Sequence, residues 1–427
     1  MTSAPAGAVG GRTRKEAIWN ADAQRARPAP TVGTAVARVL LFGIAWLFRP
    51  FGRLRVGLPH YHSQGKFYGH TEYYLRLRKY RPPERREIHV LVCGPAVNRQ
   101  ILKMVGRQMR VIRSAWLWRT LDRVKQATYD DRIWIDFTRT GWLRGAEWSI
   151  PGPQLSFTAE EHARGQALLR RLGVPEGARH VCFFAKDRRY ADNPLTPPDP
   201  NSYWGSRDFR NCDIKTYLAA ADHLAKQGVW CFRMGMHEPE ERLPDGLDPR
   251  IVDYTGRVRS TLDDPDFADA YLQATCKFFL GTTSGIYLLS SMFGVPVAYA
   301  NMAPFGECGR MPHDIFIVKK CRDRRTGHFI PYPALIARGL NADWLTLDEL
   351  NKLDGEGIEF VDNTSDEILE LVREMNQRLD RTWRPGADDD ALMQQFRAIW
   401  PAKCFDGSEF PGRVSAAFLR ENRGLLR

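Results

Sequence analysis

The sequence predicts an α/β protein made of two Rossmann-like domains followed by a helical C-terminal region. Three observations lead there. Short apolar runs rich in Val, Ile, Phe and Cys alternate with helical stretches, the pattern of parallel sheets covered by helices on both faces. The alternation comes in two blocks that join near residues 157–180. A chain of 427 residues is long enough for two or three domains, each burying a core.

The elements follow in order. Residues 1–33 are rich in Ala, Gly, Pro and Arg without periodicity and are expected to be disordered. Residues 34–53 form a basic and apolar segment around "VLLFGIAWLF", 39–48, with Arg38 before it and "RPFGRLR" after it. The run is far short of the ~20 residues that span a bilayer, and it lacks the cleavage site of a signal peptide. Insertion at a membrane interface and burial against the protein are both open; the surrounding arginines favour the membrane. The first domain, 54–156, has strand candidates at "RLRVGLP", "EIHVLVCG", "MRVIR" and "RIWIDF", with a helix from Asn98 to Arg107. The second, 157–330, opens on a helix with Thr158 as N-cap, Glu161 completing a capping box and Gly173 at the stop. Strand "HVCFFA" and a helix capped by Asp213 and closed by Gly228 come next, then strands "VWCFRMG" and "IVDYTG". The helix "DPDFADAYLQAT", strand "KFFLGT", helix "SGIYLLSSMFG" and strand "VPVAYAN" complete the block. Residues 331–427 read as helical, with Ser365 as the N-cap of "SDEILELVREMNQRLD".

Charge is unevenly placed. Residues 1–150 hold 27 Lys and Arg against 10 Asp and Glu, whereas the rest of the chain holds 35 against 40. Such a basic first third suits anionic lipid, nucleic acid or a phosphorylated substrate, and also a plain solvated surface. The eight cysteines contain no CxxC pair, and Cys182, Cys231 and Cys276 lie inside apolar runs. This reads as a reduced, cytosolic protein without structural zinc.

The stretch "CKFFLGTTSGIYLL" sets five small residues between two apolar runs. In wound sheets, ligands bind beyond the carboxyl ends of strands, where loops enter helices. There Gly281 and Gly285 let a ligand approach the backbone, while Thr282, Thr283 and Ser284 supply hydroxyls. Free amides at the start of the next helix favour a phosphate. The same residues also make ordinary tight turns. Arginines at strand ends in this half, Arg188, Arg189, Arg233, Arg257 and Arg259, would together neutralise a diphosphate.

As a series, "YGHTEYYL", "NRQILKM", "FFAKDRRY", "RNCDIKTYLAAADHL", "CFRMG", "IVDY", "CKFFLGTTSGI" and "EFVDNTSDEILELVREM" resemble a family of bacterial glycosyltransferases encoded with surface-polysaccharide genes. The resemblance runs from about Val56 to Trp400. It implies a GT-B architecture of two facing Rossmann-like domains. A nucleotide-diphosphate sugar is then held by the second, a glycan or lipid-linked acceptor by the first, with no cofactor and no obligatory metal. The Gly-Thr-Thr-Ser-Gly turn is also similar to that of fucosyltransferase-like GT-B enzymes, where it meets the donor diphosphate. Position by position, the resemblance gives Thr283, Ser284 and Gly285, beside Thr282, to the diphosphate. It matches Arg210 and Asn211 to an Arg-Asn pair, and Arg233 and Gly235 to an Arg-Met-Gly. Lys186, close to Arg188, stands where the family has Arg, and keeps the charge without the bidentate fork.

An inverting transfer needs a base to take the acceptor hydroxyl's proton. His70 is the first candidate, because it follows Gly69 at the mouth of the first strand-to-helix unit and titrates near working pH. It also suits a helix N-terminus bonded to a turn. Glu72 is second, though it also suits neutralising the helix start, and Asp187 is third. His60 and His62 read as loop residues. "DPD" at 264–266 reads as helix capping and "DDD" at 388–390 as a polar linker, so neither is taken as a metal site.

Two other classes compete with the enzyme. A basic nucleic-acid-binding protein lacks support, since no RRM, KH or zinc-finger signature is present and the basic residues are scattered. A membrane-attached scaffold could keep the fold and lose the chemistry. The enzyme reading places the protein in the cytoplasm, peripheral on the inner face of the plasma membrane through residues 34–56.

Overall fold

The computed structural model describes residues 31–127, 129–137, 152–187, 208–237, 239, 241–305, 311–340, 345–400 and 411–427. Two fully parallel sheets organise them. The first contains β1 (Arg53–Gly57), β2 (Glu87–Cys93), β3 (Arg110–Arg113) and β4 (Trp134–Ile135), in the order β3-β2-β1-β4. These are the four predicted strands. The second sheet contains β5 (His180–Phe184), β6 (Trp230–Arg233), β7 (Ile251–Val252), β8 (Phe279–Gly281), β9 (Val297–Met302), β10 (Ile315–Val318) and β13 (Arg413–Val414). Its order is β13-β10-β9-β8-β5-β6-β7. In each sheet the chain starts centrally, steps out to one side and returns to fill the other. This is Rossmann winding, as the GT-B expectation requires.

Local causes match the predicted elements. Every residue of β9 and β10 is buried, as suits strands covered on both faces. The helix Ala159–Arg171 starts from a complete capping box. Thr158 Oγ1 accepts from the Glu161 amide at 3.2 Å, and Glu161 Oε2 accepts from the Thr158 amide at 2.9 Å. The helix Leu218–Lys226 is preceded by a 3₁₀ turn that Asp213 caps, and it closes at Gly228 with φ +80°.

Other boundaries differ. The helix Ser365–Leu379 is capped by Thr364 and not by Ser365. A box needs a carboxylate three residues beyond the cap, and Glu367 stands there for Thr364 while Ile368 stands there for Ser365. The region 331–427 also carries strands. β12 (Ile358–Val361) pairs antiparallel with β11 (Lys320–Asp323), and β13 joins the edge of the second sheet. The apolar run at 39–48 belongs to a longer helix, Val32–Leu47, capped by Thr31. Of the expected leader, residues 1–30 lie outside the described residues, and Val32 and Gly33 already belong to this helix.

The two sheets share a joint. The helix Arg99–Gly106 receives Asp266 from the second domain, whose Oδ2 accepts from the Arg99 amide at 2.9 Å and from Arg99 Nε at 2.8 Å. Asn98 caps the same helix and donates across the joint to the Asp266 carbonyl at 2.9 Å. Asp264 caps its own helix, Pro265–Thr275. A single apolar core runs from Phe67 and Tyr68 in the first domain to Leu288 and Met292 in the second.

Candidate active site

β5 lies between β6, reached first, and β8, reached after the chain has doubled back. Between β5 and β8 is therefore the switch point of the second sheet, the place beyond the strand ends where wound sheets bind their ligands. Lys186 and Asp187 leave β5 there, and the turn Thr282–Gly285 leaves β8.

Arg210 joins the two exits. Its Nε donates to the Thr283 carbonyl at 3.0 Å, and Nη2 donates to the same oxygen. Thr283 Oγ1 donates to the Ala303 carbonyl at 2.5 Å, which fixes the turn to the end of β9. The hydroxyls of Thr282 and Ser284 are buried and have no hydrogen-bond partner among the described residues. Such groups cost about 1–3 kcal/mol each, so their presence suits a site that a ligand completes. The helix after the turn begins at Tyr287, three residues later than predicted, and has six residues. The amides of Ser284 and Gly285 thus belong to the turn, and the phosphate cradle predicted at a helix start becomes a turn cradle.

Two lysines converge beside it. Lys186 Nζ donates to Asn211 Oδ1 at 2.5 Å, and Lys319 Nζ donates to the Asn211 carbonyl at 2.8 Å and to Asp362 Oδ1 at 2.5 Å. Asn211 therefore holds both buried ammonium groups at one place. Alongside is a cavity of about 530 Å³ lined by Asp187, Phe209, Asn211, Lys319, Phe360 and Asp362 among others. Phe209 and Phe360 form an apolar wall, their ring centroids 5.1 Å apart. Lys319, Arg322 and Phe360 were not read from the sequence. The signals were Lys319 and Lys320 following the apolar run of β10, which by itself marks a strand end, and the quoted stretch "EFVDNTSDEILELVREM", which contains Phe360 without assigning it a role.

Several predicted residues do other work. Arg233 is buried at the end of β6, donates to the Glu241 carbonyl at 2.6 Å and pairs with Asp253 at 3.6 Å. Gly235 is needed because a Cβ would lie 2.8 Å from Thr255 Oγ1. Arg257 pairs with Asp245 and Arg259 with Asp269. The expected convergence of strand-end arginines is thus replaced by Lys186, Lys319 and Arg210, while Arg188 and Arg189 lie outside the described residues. The partners are local: Arg233, Arg257 and Arg259 each pair with a carboxylate of their own surroundings, Asp253, Asp245 and Asp269.

Of the base candidates, Asp187 is half-buried and lines the cavity. His70 is buried at the end of a five-residue turn, Lys66–His70, that rests on the helix Tyr287–Met292. His60 lies within reach of its charge, as it does of His62 and Lys66. Burial and then the neighbouring charges of Lys66, His70, His62 and Lys125 hold the His60 imidazole well below its ordinary range. Glu72 is fully buried and accepts from Arg76 Nε and from the Gln154 amide, each at 2.8 Å. Burial pushes its carboxyl up to about 7 against the pull of Arg76. Arg76 in turn donates to the Met292 carbonyl at 2.6 Å. Glu72 therefore braces the joint between the domains, and the corrected base candidates are His70 and Asp187. Among the described residues, no group of three or more His, Cys, Asp or Glu side chains is arranged to hold a metal.

No protein-family model matches the chain, and no curated protein matches it significantly. Among solved structures it is similar to the glycosyl transferase family 9 protein of Veillonella parvula. The identity is 11%, over 58% of this chain and 80% of that one, with a TM-score of 0.31. For the E. coli ADP-heptose lps heptosyltransferase II, the values are 11%, 59%, 86% and 0.33. For E. coli heptosyltransferase WaaC with ADP they are 12%, 71%, 98% and 0.30. Overlap this loose transfers neither a residue role nor a substrate.

Proposed function

We propose that the protein is a glycosyltransferase that moves a sugar from a nucleotide-diphosphate sugar to a glycan or lipid-linked acceptor in bacterial surface-polysaccharide synthesis. One observation carries the reading. The hydroxyl-bearing turn Thr282–Gly285 and the lysines Lys186 and Lys319 meet at the switch point of the second sheet, joined by Arg210 and Asn211. The positive charge of Lys186, Lys319 and Arg210 beside unpartnered hydroxyls and turn amides suits a diphosphate.

In the proposed reaction the acceptor hydroxyl oxygen attacks the sugar's anomeric carbon while the bond from that carbon to the diphosphate oxygen breaks. The hydroxyl proton passes to the base. Negative charge grows on the leaving diphosphate, where Lys186, Lys319 and Arg210 offset it without a metal ion. Attack from the face opposite the leaving group inverts the anomeric configuration. His70 is the proposed base, on the first-domain side from which the acceptor comes, and Asp187 is its rival on the donor side. A lipid-linked acceptor requires the first domain to work at the cytosolic membrane face.

A screen of purified protein for hydrolysis and transfer across uridine, guanosine, adenosine and cytidine diphosphate sugars tests this. Turnover of one donor class, lost in Lys186→Met, is the expected result. If none is turned over and none binds, the reading is wrong.

A further inference from the structure

We infer that the helix Val32–Leu47 is an in-plane anchor that seats the first domain on an anionic bilayer. The inference takes up the membrane side of the proposed function, but it stands on this helix and not on the donor site.

The helix is held to the protein along a narrow stripe. Leu41 is its buried residue, and it joins Leu54, Val56, Leu58 and Val124 in a small core under the first sheet. Ala37, Phe42 and Ala45 flank it. At about 100° per residue, Val32, Val36, Val39, Leu40, Gly43 and Leu47 fall in one arc opposite Leu41, with Trp46 at its border. That arc faces away from the protein. Val39 is 70% exposed, Leu40 62%, Trp46 63% and Leu47 63%. Phe51, just past the helix, is 67% exposed.

A helix on a protein surface ordinarily turns charged residues outward. This one turns Val, Leu and Trp outward and has one charged residue, Arg38, which lies over Phe42 at 5.4 Å. An outward apolar arc of this extent needs an apolar environment. At ~1.5 Å per residue, the helix is about 24 Å long and shorter than the ~30 Å hydrocarbon core. No helix among the described residues is long and apolar enough to cross a membrane. It can lie in the interface with its arc below the headgroups.

Charge selects the occupant. From residue 23 to residue 71 the sequence has no Asp or Glu, while Arg38, Arg49, Arg53, Arg55 and Lys66 fall in the described part of that stretch. Arg38, Arg49 and Arg53 are exposed around the helix. An apolar partner protein would not require this lack of acid. A sheet of lipid phosphates favours it, and Asp130, whose charge reaches Arg38 from a neighbouring segment, is held by Arg132. Trp46 at the edge of the arc suits the headgroup level.

The full-length protein, sedimented with vesicles of phosphatidylcholine containing about a third phosphatidylglycerol, tests the anchor. It is expected to pellet with these and to stay in solution with phosphatidylcholine alone, the difference shrinking in high salt. Leu40→Glu combined with Trp46→Glu should weaken binding by about a hundredfold while leaving the melting temperature and donor hydrolysis unchanged. Arg49→Gln should weaken it by about fivefold. The inference is overturned if the wild-type chain fails to pellet with anionic vesicles at low salt. It is equally overturned if the wild-type chain is a dimer that the double variant dissolves without any vesicle binding. If a chain lacking residues 1–30 binds vesicles and the full chain does not, that leader covers the arc and the inference also fails. Donor hydrolysis measured without vesicles reports on the enzyme reading separately.

Discussion

Gly65 of the first domain and Gly285 of the second meet backbone to backbone. A Cβ on Gly285 would lie 2.6 Å from the Gly65 nitrogen, and one on Gly65 would lie 3.0 Å from the Gly285 Cα. The proposed phosphate turn is thus also the place where the two domains touch. Small residues are required there for the approach of the other domain, and the proposed ligand would call for the same room.

Gly285→Ala should therefore separate the domains locally. The clash is with backbone atoms, which no rotamer change relieves, so a loss of about 1–3 kcal/mol is expected. A lowered melting temperature together with weakened donor binding checks it. Gly355→Ala, where a Cβ meets nothing within 4 Å, is the control.

Glu72 should give stability a pH dependence of unusual sign. Its folded carboxyl titrates at about 7, above the ordinary 4.5. Between these values the folded chain keeps a proton that the unfolded chain has lost, so stability from this group falls as pH rises from 4.5 to 7. Glu72→Gln should flatten that slope in chemical denaturation across the same window. Below that window the variant should melt close to wild type, because the amide oxygen replaces the protonated carboxyl as acceptor for Arg76.

Arg233 and Lys186 separate structure from binding. Arg233→Met strands Asp253 in the core and should cost about 3–5 kcal/mol in a denaturant melt. Lys186→Met should leave the melt nearly unchanged and weaken donor binding by about tenfold or more, as loss of a charge-assisted contact does.

His70→Ala should keep donor binding and reduce transfer by about a hundredfold to ten-thousandfold. The paired measurement is the same assay on Asp187→Asn. If His70→Ala transfers at the wild-type rate while Asp187→Asn does not, the base is Asp187.

Much of this was legible in the chain, for reasons of range. The strands β5, β8 and β9 announced themselves as apolar runs, and the Thr158 box as a four-residue pattern, because each is determined by neighbours in sequence. The meeting of Lys186 with Lys319 was not legible, since 133 positions separate them and only the winding of the sheet brings Asn211 between them. Arg233 misled for the same reason. Its residue type suited phosphate, but Asp253 and the Glu241 carbonyl, fixed by the tertiary fold, had already claimed it. Glu72 reads in sequence as a base candidate or a neutraliser of the helix start; the fold instead buries it with Arg76, which meets the Met292 carbonyl of the second domain. The two-residue strand β13 carries too little sequence to be seen at all.

The most direct measurement is calorimetric titration of wild-type protein, Lys186→Met and Ser284→Arg with uridine, guanosine and adenosine diphosphates. Saturable binding of at least one nucleotide by the wild-type chain, weakened by the lysine change and abolished by the bulky arginine in the turn, is the predicted outcome. A wild-type chain that binds none of them, or a Ser284→Arg variant that binds as tightly as wild type, would contradict a diphosphate site at the β5–β8 crevice.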